Sequence, residues 1–262
     1  KRAINVGTEN SEVFFHIGQI HFFRNEYRLA EDAYEEAIRL DTMNPGYYFA
    51  MGFLEETRGR TDAAILEYEL SLRRNPTFIK SLSALHDIHL NKKNNQIAAI
   101  SFNDRILAVD STHPVGHFNR GNFYFNQANN LTTEKRIEDF KTILKLAIAS
   151  YTKALRTDPN FSRALYNRGY SFFLLEEYPK ALGDFSTVIQ LDPYNAKAFY
   201  MKASIQEYLG DEAGALANYR QAEKIDPGFR DASEAVKDLE IKMQTSSAGA
   251  ADPEGAEKNQ KK

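Results

Sequence analysis

The sequence predicts an all-α protein built as an array of about six helix pairs, and three observations carry that expectation. The dipeptide Asp-Pro ends at Pro193 and again at Pro227, 34 residues apart. Counting back from each proline meets the same small and aromatic residues at the same offsets. The nonapeptides HFNRGNFYF (117–125) and LYNRGYSFF (165–173) are near copies, 48 residues apart. Self-similarity at a period of about 20–50 residues marks stacked supersecondary units rather than one globular core.

The first unit, 11–44, has Gly18 eighth, Ala30 twentieth and Tyr34 twenty-fourth, with Ala37 at a further small position. The second, 45–78, repeats this as Gly52, Ala64, Tyr68 and then Pro76. The third, 79–113, departs: Asp87 is read at the glycine place, and Asp110-Ser111 replaces Asp-Pro one residue late. In the fourth, 114–161, Gly121 is in place but the next small residue is Ala147, 26 positions on instead of 12. The 14 extra residues, placed at about 132–145, account for the excess of the echo distance over one period. The fifth (162–195) and sixth (196–229) return to the pattern through Gly169, Ala181 and Phe185, then Ala203, Ala215 and Tyr219. Small residues let two helices approach, and Pro ends the second helix because it has no N–H for the ladder.

The inserted stretch reads as a continuation of its second helix. Thr132 or Thr133 suits an N-cap, and Ile137, Phe140, Ile143 and Leu144 recur at helical spacing. The result would be a helix of about 24 residues, a spur whose Ile137, Phe140 and Ile143 have no repeat neighbour and offer a docking face. After the sixth unit, 230–244 is amphipathic and reads as a capping helix. Residues 1–10 are a lead-in, and 245–262 is poor in apolar residues and is expected to be disordered.

This 34-residue template, with small residues at 8, 20 and 27, an aromatic at 24 and Pro at 32, resembles the tetratricopeptide repeat family over residues 11 to about 229. Tryptophan is absent, and Phe14, Tyr48, Leu82, His117, Leu165 and Phe199 hold the fourth position instead. The resemblance implies a right-handed superhelical solenoid whose first helices line a concave groove. It also implies that positions 2, 5, 6, 9, 12 and 13 face that groove. In units four to six these include Phe118, Asn119, Asn122, Arg163, Tyr166, Asn167, Tyr170, Lys197 and Tyr200, a peptide-binding set of aromatics, amides and cations. Asn122 and Asn167 would bond a peptide backbone, and removing Asn167 is expected to leave stability nearly unchanged. In the first two units, Phe15, His16, Gln19, Phe22, Phe23, Phe49 and Phe53 would make the groove apolar. Some family members hold chaperone C-termini with a carboxylate clamp; here Asn122, Asn167 and Lys197 match it, while Phe118 and Met201 replace two of its cations.

Composition excludes several chemistries. With no cysteine, the chain has no disulfide, thiolate nucleophile or Cys-ligated metal site. A formal net charge of −3 provides no basic field for nucleic acid. No apolar run approaches the roughly 18–20 residues of a membrane span. The glycines build no phosphate loop, and the pairs Glu35-Glu36 and Glu55-Glu56 are expected to be solvated. The pairs His86/His89 and His113/His117 lack the further ligands of a metal centre, so neither metal nor cofactor is expected. The chain opens on Lys1 rather than Met, as a processed or truncated product does, and cytoplasmic and exported compartments both stay open. The expected function is a non-enzymatic scaffold or adaptor that binds a protein or peptide partner in the groove. The alternative is a structural subunit of a larger assembly or homo-oligomer.

Overall fold

The computed structural model describes residues 10–131 and 137–250, and every regular element among them is an α-helix. The fold is an all-α helical-repeat solenoid. In order, the helices are α1 (Ser11–Phe23), α2 (Tyr27–Leu40), α3 (Pro45–Thr57), α4 (Thr61–Arg74), α5 (Ile79–Asn91), α6 (Gln96–Val109) and α7 (Pro114–Asn129). They continue as α8 (Ile137–Thr157), α9 (Ser162–Leu174), α10 (Tyr178–Leu191), α11 (Ala196–Tyr208), α12 (Glu212–Ile225) and α13 (Arg230–Ala250). The chain divides into two compact units, Lys1–Asn119 and Arg120–Lys262, and the division falls inside α7.

Local chemistry sets the helix ends. Asn10, Asn44, Asn95, Asn195 and Asp211 cap first turns, each side chain accepting a backbone N–H two or three residues on. Second helices stop at Asp41, Asn75, Asp110, Asp158, Asp192 and Asp226, whose carboxylate or amide Oδ1 accepts the N–H two residues later. This Asx turn holds the chain in an extended residue and turns it toward the next helix. It forms with or without the proline, which is why the period survives at Thr42 and Ser111. In the five pair reversals that lie wholly among the described residues, the turn uses one left-handed residue: Asn25 (φ 60°), Gly59 (76°), Asn94 (48°), Glu176 (61°) or Gly210 (83°).

Within a pair, the first helix's glycine meets the second helix's aromatic ring. A Cβ on Gly52 would lie 2.7 Å from the Tyr68 ring, and one on Gly121 would lie 2.5 Å from Tyr151. Tyr68, Tyr151 and Phe185 are fully buried, as are Ala30, Ala64, Ala147, Ala181 and Ala215 one turn earlier. Burial pushes the Tyr34 hydroxyl up to about 12 and those of Tyr68 and Tyr151 still higher, so all three stay neutral.

Several expectations need correction. At the glycine place of α5 stands His86, buried, while Asp87 is exposed, because α5 begins at Ile79 and the extra residue lies in the following turn. The His86 Nδ1–H donates to the Ala99 carbonyl at 2.8 Å. Opposite, Asn103 takes the aromatic's place and donates to the Gly116 carbonyl at 2.9 Å. Glu55 is 6% exposed rather than solvated, held by Arg58 at 3.0 Å and Arg60 at 3.3 Å. Helix α13 runs to Ala250, past the expected end at residue 244, since extending a formed helix costs little. Helix α8 spans 21 residues from Ile137, and Thr132 and Thr133 lie outside the described residues. Of the spur residues, Ile137 is exposed at 54%, while Phe140 and Ile143 are half-buried rather than uncovered, and Leu144 is fully buried.

Candidate functional site: the open faces of the first helices

In the first compact unit, Phe15, Phe22 and Phe23 of α1 with Phe49, Phe53 and Phe78 line a cavity of about 260 Å³. The rings form a continuous floor. Phe22 lies 5.4 Å from Phe53, Phe53 stacks on Phe49 at 6.5 Å, and Phe49 meets Phe78 edge-on at 6.0 Å. Phe23 is 81% exposed and Phe53 48%, so the floor opens to water. Gln19 and Lys80 stand among the lining residues, while His16 is exposed and bonded to Gln19 at 3.0 Å.

The expected groove set of units four to six divides between the two compact units. Phe118 and Asn119 belong to the first. Phe118 is buried at 7%, so it is a packing residue and not part of an open face, and Asn119 is half-buried. In the second unit, Asn122 and Asn167 come together: Asn122 Oδ1 accepts from Asn167 Nδ2 at 2.9 Å and from the Tyr151 hydroxyl at 2.8 Å. These bonds join α7, α8 and α9, so both asparagines also hold the fold, contrary to the expectation of a purely lining role. What remains is Asn122 Nδ2, a donor, and Asn167 Oδ1, an acceptor.

A chain of rings runs beside the amides. Phe125 lies 5.9 Å from Tyr170, Tyr170 6.1 Å from Phe173, Phe173 6.1 Å from Tyr178, and Tyr178 4.8 Å from Tyr208, which is 68% exposed. Tyr166 packs edge-on against Phe185 at 5.4 Å, and Tyr200 lies between Tyr219 and Phe229. Burial raises the Tyr166 and Tyr200 hydroxyls, keeping them neutral donors. Arg163 and Lys197 are exposed at the starts of α9 and α11, and Arg163 lies over Phe161. Met201, the residue in place of a clamp cation, is buried.

Sequence reasoning missed Tyr178, which opens a second helix and still joins the ring chain. It also missed the role of the arginine in the echoed Asn-Arg-Gly. Arg168 donates two bonds to the buried Asp184, at 2.7 and 2.8 Å, and one to Thr152 at 3.2 Å, tying α9 to α8 and α10. The histidines singled out for spacing are engaged in packing: His89 stacks on Phe102, His117 Nε2 donates to Ser111 O, and His113 Nδ1 accepts from Gly116 N. No group of three or more His, Asp or Glu among the described residues is placed to hold a metal ion. No helix among them is long and apolar enough to cross a membrane.

Family models described as Tetratricopeptide repeat match residues 16–77, 162–195 and 196–229. The Hsp70-Hsp90 organizing protein of Triticum aestivum is 22% identical over 268 residues, covering 94% of this chain and 46% of the relative. Hsp70-Hsp90 organizing protein 3 of Arabidopsis thaliana is 28% identical over 116 residues, 44% of this chain and 21% of the relative. The chain spans less than half the length of these curated relatives. Among solved structures, YrrB, described as a TPR protein with an unusual peptide-binding site, superposes with a TM-score of 0.62 at 18% identity, covering 79% of this chain and 99% of YrrB. At that identity the likeness shows the fold alone.

Proposed function

This chain belongs to the tetratricopeptide repeat family, and from that premise we propose that it is a non-enzymatic adaptor holding an extended segment of a partner protein against the first helices of its second compact unit, Arg120–Lys262. The observation that carries the reading is the Asn122–Asn167 pair. Each amide is fixed by its neighbour, and the halves left over are one donor and one acceptor, the complement of a peptide unit. Fixed side chains lose little rotamer freedom on binding, which favours affinity. The adjacent rings from Phe125 to Tyr208 supply apolar area, and the exposed Arg163 and Lys197 favour an acidic residue or a free carboxylate. Relatives named as organizers of Hsp70 and Hsp90, and a fold neighbour named for peptide binding, support an interaction role in general terms.

Peptides selected from a random display library against the full chain provide the test ligand for calorimetry. Asn167→Ala is expected to weaken them by about 5- to 150-fold, the effect of leaving a buried peptide group unpaired. Unchanged affinity in both Asn167→Ala and Tyr170→Ala overturns this seat. The second reading, a subunit packed within an assembly, is favoured by the exposed Phe23 and Phe53 of the first compact unit. Light scattering showing a stable homo-oligomer that Phe23→Ser dissociates would support it.

A further inference from the structure

The first compact unit has a second cavity, of about 400 Å³, lined from α2, α3 and α4 by side chains that the phenylalanine-lined face does not use. Its floor is apolar, with Ile38, Met51 and Leu70. Four carboxylates border it: Glu31 and Glu35 from α2, Glu55 from α3 and Glu67 from α4. The cations beside it are already engaged. Arg58 binds Glu31 at 2.7 Å and Glu55 at 3.0 Å, Arg60 reaches Glu55 at 3.3 Å, and Arg39 is held by Glu36 at 2.6 Å. Among the described residues those pairings leave Glu35 of α2 and Glu67 of α4 without an ion pair, both bordering the apolar floor.

We propose that this cavity receives one arginine or lysine side chain from a basic segment of a partner protein, its stem on Ile38, Met51 and Leu70 and its charge between Glu35 and Glu67. Long basic side chains are suited to such a site because their methylenes cover apolar surface while the head stays at a polar rim. The charge is complementary. Glu67 is half-buried and Glu35 exposed at the rim; the two carboxylates repel each other, and a cation between them removes that repulsion. The Glu67 carboxyl lies above the ordinary carboxylate range, from burial first and then from the nearby Glu55 and Glu35 charges. A second basic group would meet Arg39 and Arg60, so the cavity takes one. The inference does not depend on the asparagine seat, whose residues lie in the other unit.

The test is a nuclear magnetic resonance titration of the full chain with Nα-acetyl-arginine methylamide, using acetyl-lysine and acetyl-norleucine methylamides for comparison. Saturable shifts are expected at the amides of Glu35, Ile38, Glu67 and Leu70 with the two cations and not with norleucine. The double substitution Glu35→Gln/Glu67→Gln, close to isosteric, is expected to weaken arginine binding about tenfold, with the remaining resonances unmoved. Glu234→Gln/Asp238→Asn, which removes the same charge from exposed positions of α13, should leave it unchanged. Absence of saturable shifts at these residues, equal binding by norleucine, or equal binding after Glu35→Gln/Glu67→Gln would each overturn the proposal.

Discussion

The helix pairs α3/α4 and α5/α6 are neighbours in one compact unit and solve the same packing problem in opposite ways. In α3/α4 the first helix gives up its side chain at Gly52, and the second sends Tyr68 into the vacated space. In α5/α6 the first helix sends His86 across, and the second shortens its side chain to Asn103. Both residues are buried, and each ties itself to a backbone carbonyl, Ala99 O or Gly116 O. The repeat template is therefore a constraint on two positions taken together, a volume that either helix can fill. The polar version leaves an imbalance: His86 Nε2 and Asn103 Oδ1 are buried with no partner among the described residues, whereas the Tyr68 hydroxyl reaches Glu56 at 2.9 Å.

The largest effect should come from breaking the exchange on one side only. His86→Gly leaves a void against Asn103 and orphans a bond, and is expected to lose about 2–4 kcal/mol in denaturant unfolding. Asn103→Tyr alone should overpack against His86. The double substitution His86→Gly/Asn103→Tyr restores the neighbouring solution, so the cycle should show a favourable coupling of about 1–3 kcal/mol. Strict additivity would mean that the two positions do not share one volume.

Next in size are the regular pairs. Gly52→Ala and Gly121→Ala place a methyl against a buried tyrosine ring, and each should lose about 1–3 kcal/mol. Gly169→Ala meets its neighbours only at 3.1–3.4 Å and should lose less, about 1 kcal/mol. Gly183, in α10 with nothing near its missing Cβ, is the contrast: Gly183→Ala should gain about 0.5–1 kcal/mol from helix propensity alone.

The smallest effect concerns charge, in which α4 also differs from α6. The Glu67 carboxyl is raised in the folded chain, so its protonated form favours folding below the ordinary carboxylate range. As pH rises through the folded value, that contribution is lost. Glu67→Gln should therefore raise the melting temperature by about 1–2 °C at pH 7 and leave it unchanged near pH 3. An equal shift at both pH values would place the effect in packing instead.

The fold was legible because its period is written in residues that act locally. Gly, Ala and the Asx-turn aspartates impose backbone geometry wherever they occur, so counting offsets was enough to find the helices. The proline used as a ruler mattered less than the aspartate before it, as the pair ending at Asp110 shows. Register failed at His86 because one extra turn residue after α5 was assigned to the helix, and no local signal separates the two placements. The candidate site was harder to read. Which aromatics face outward could be guessed from helical phase, but Phe118 is buried where Tyr166 and Tyr200 at the same phase are half-buried. The Asn122–Asn167 bond joins residues 45 apart and depends on the distance between two helices, which spacing alone does not supply. Glu55 was misread as solvated although Arg58 and Arg60 follow at three and five residues, the signal that would have paired it.

The left-handed residue in each reversal has a consequence for how the array changes over time. Asn and Gly occupy four of those five turns at little cost, but Glu176 holds the same conformation with a branched-off carboxylate and no backbone freedom to spare. A glutamate there stores about 1 kcal/mol of strain. Glu176→Gly should release much of it without touching either the ring chain or the asparagines. The hinge of each pair is thus a place where sequence can drift and stability can be tuned while the recognition surface stays fixed. An array with such points can exchange what it binds and how firmly it folds as separate inheritances.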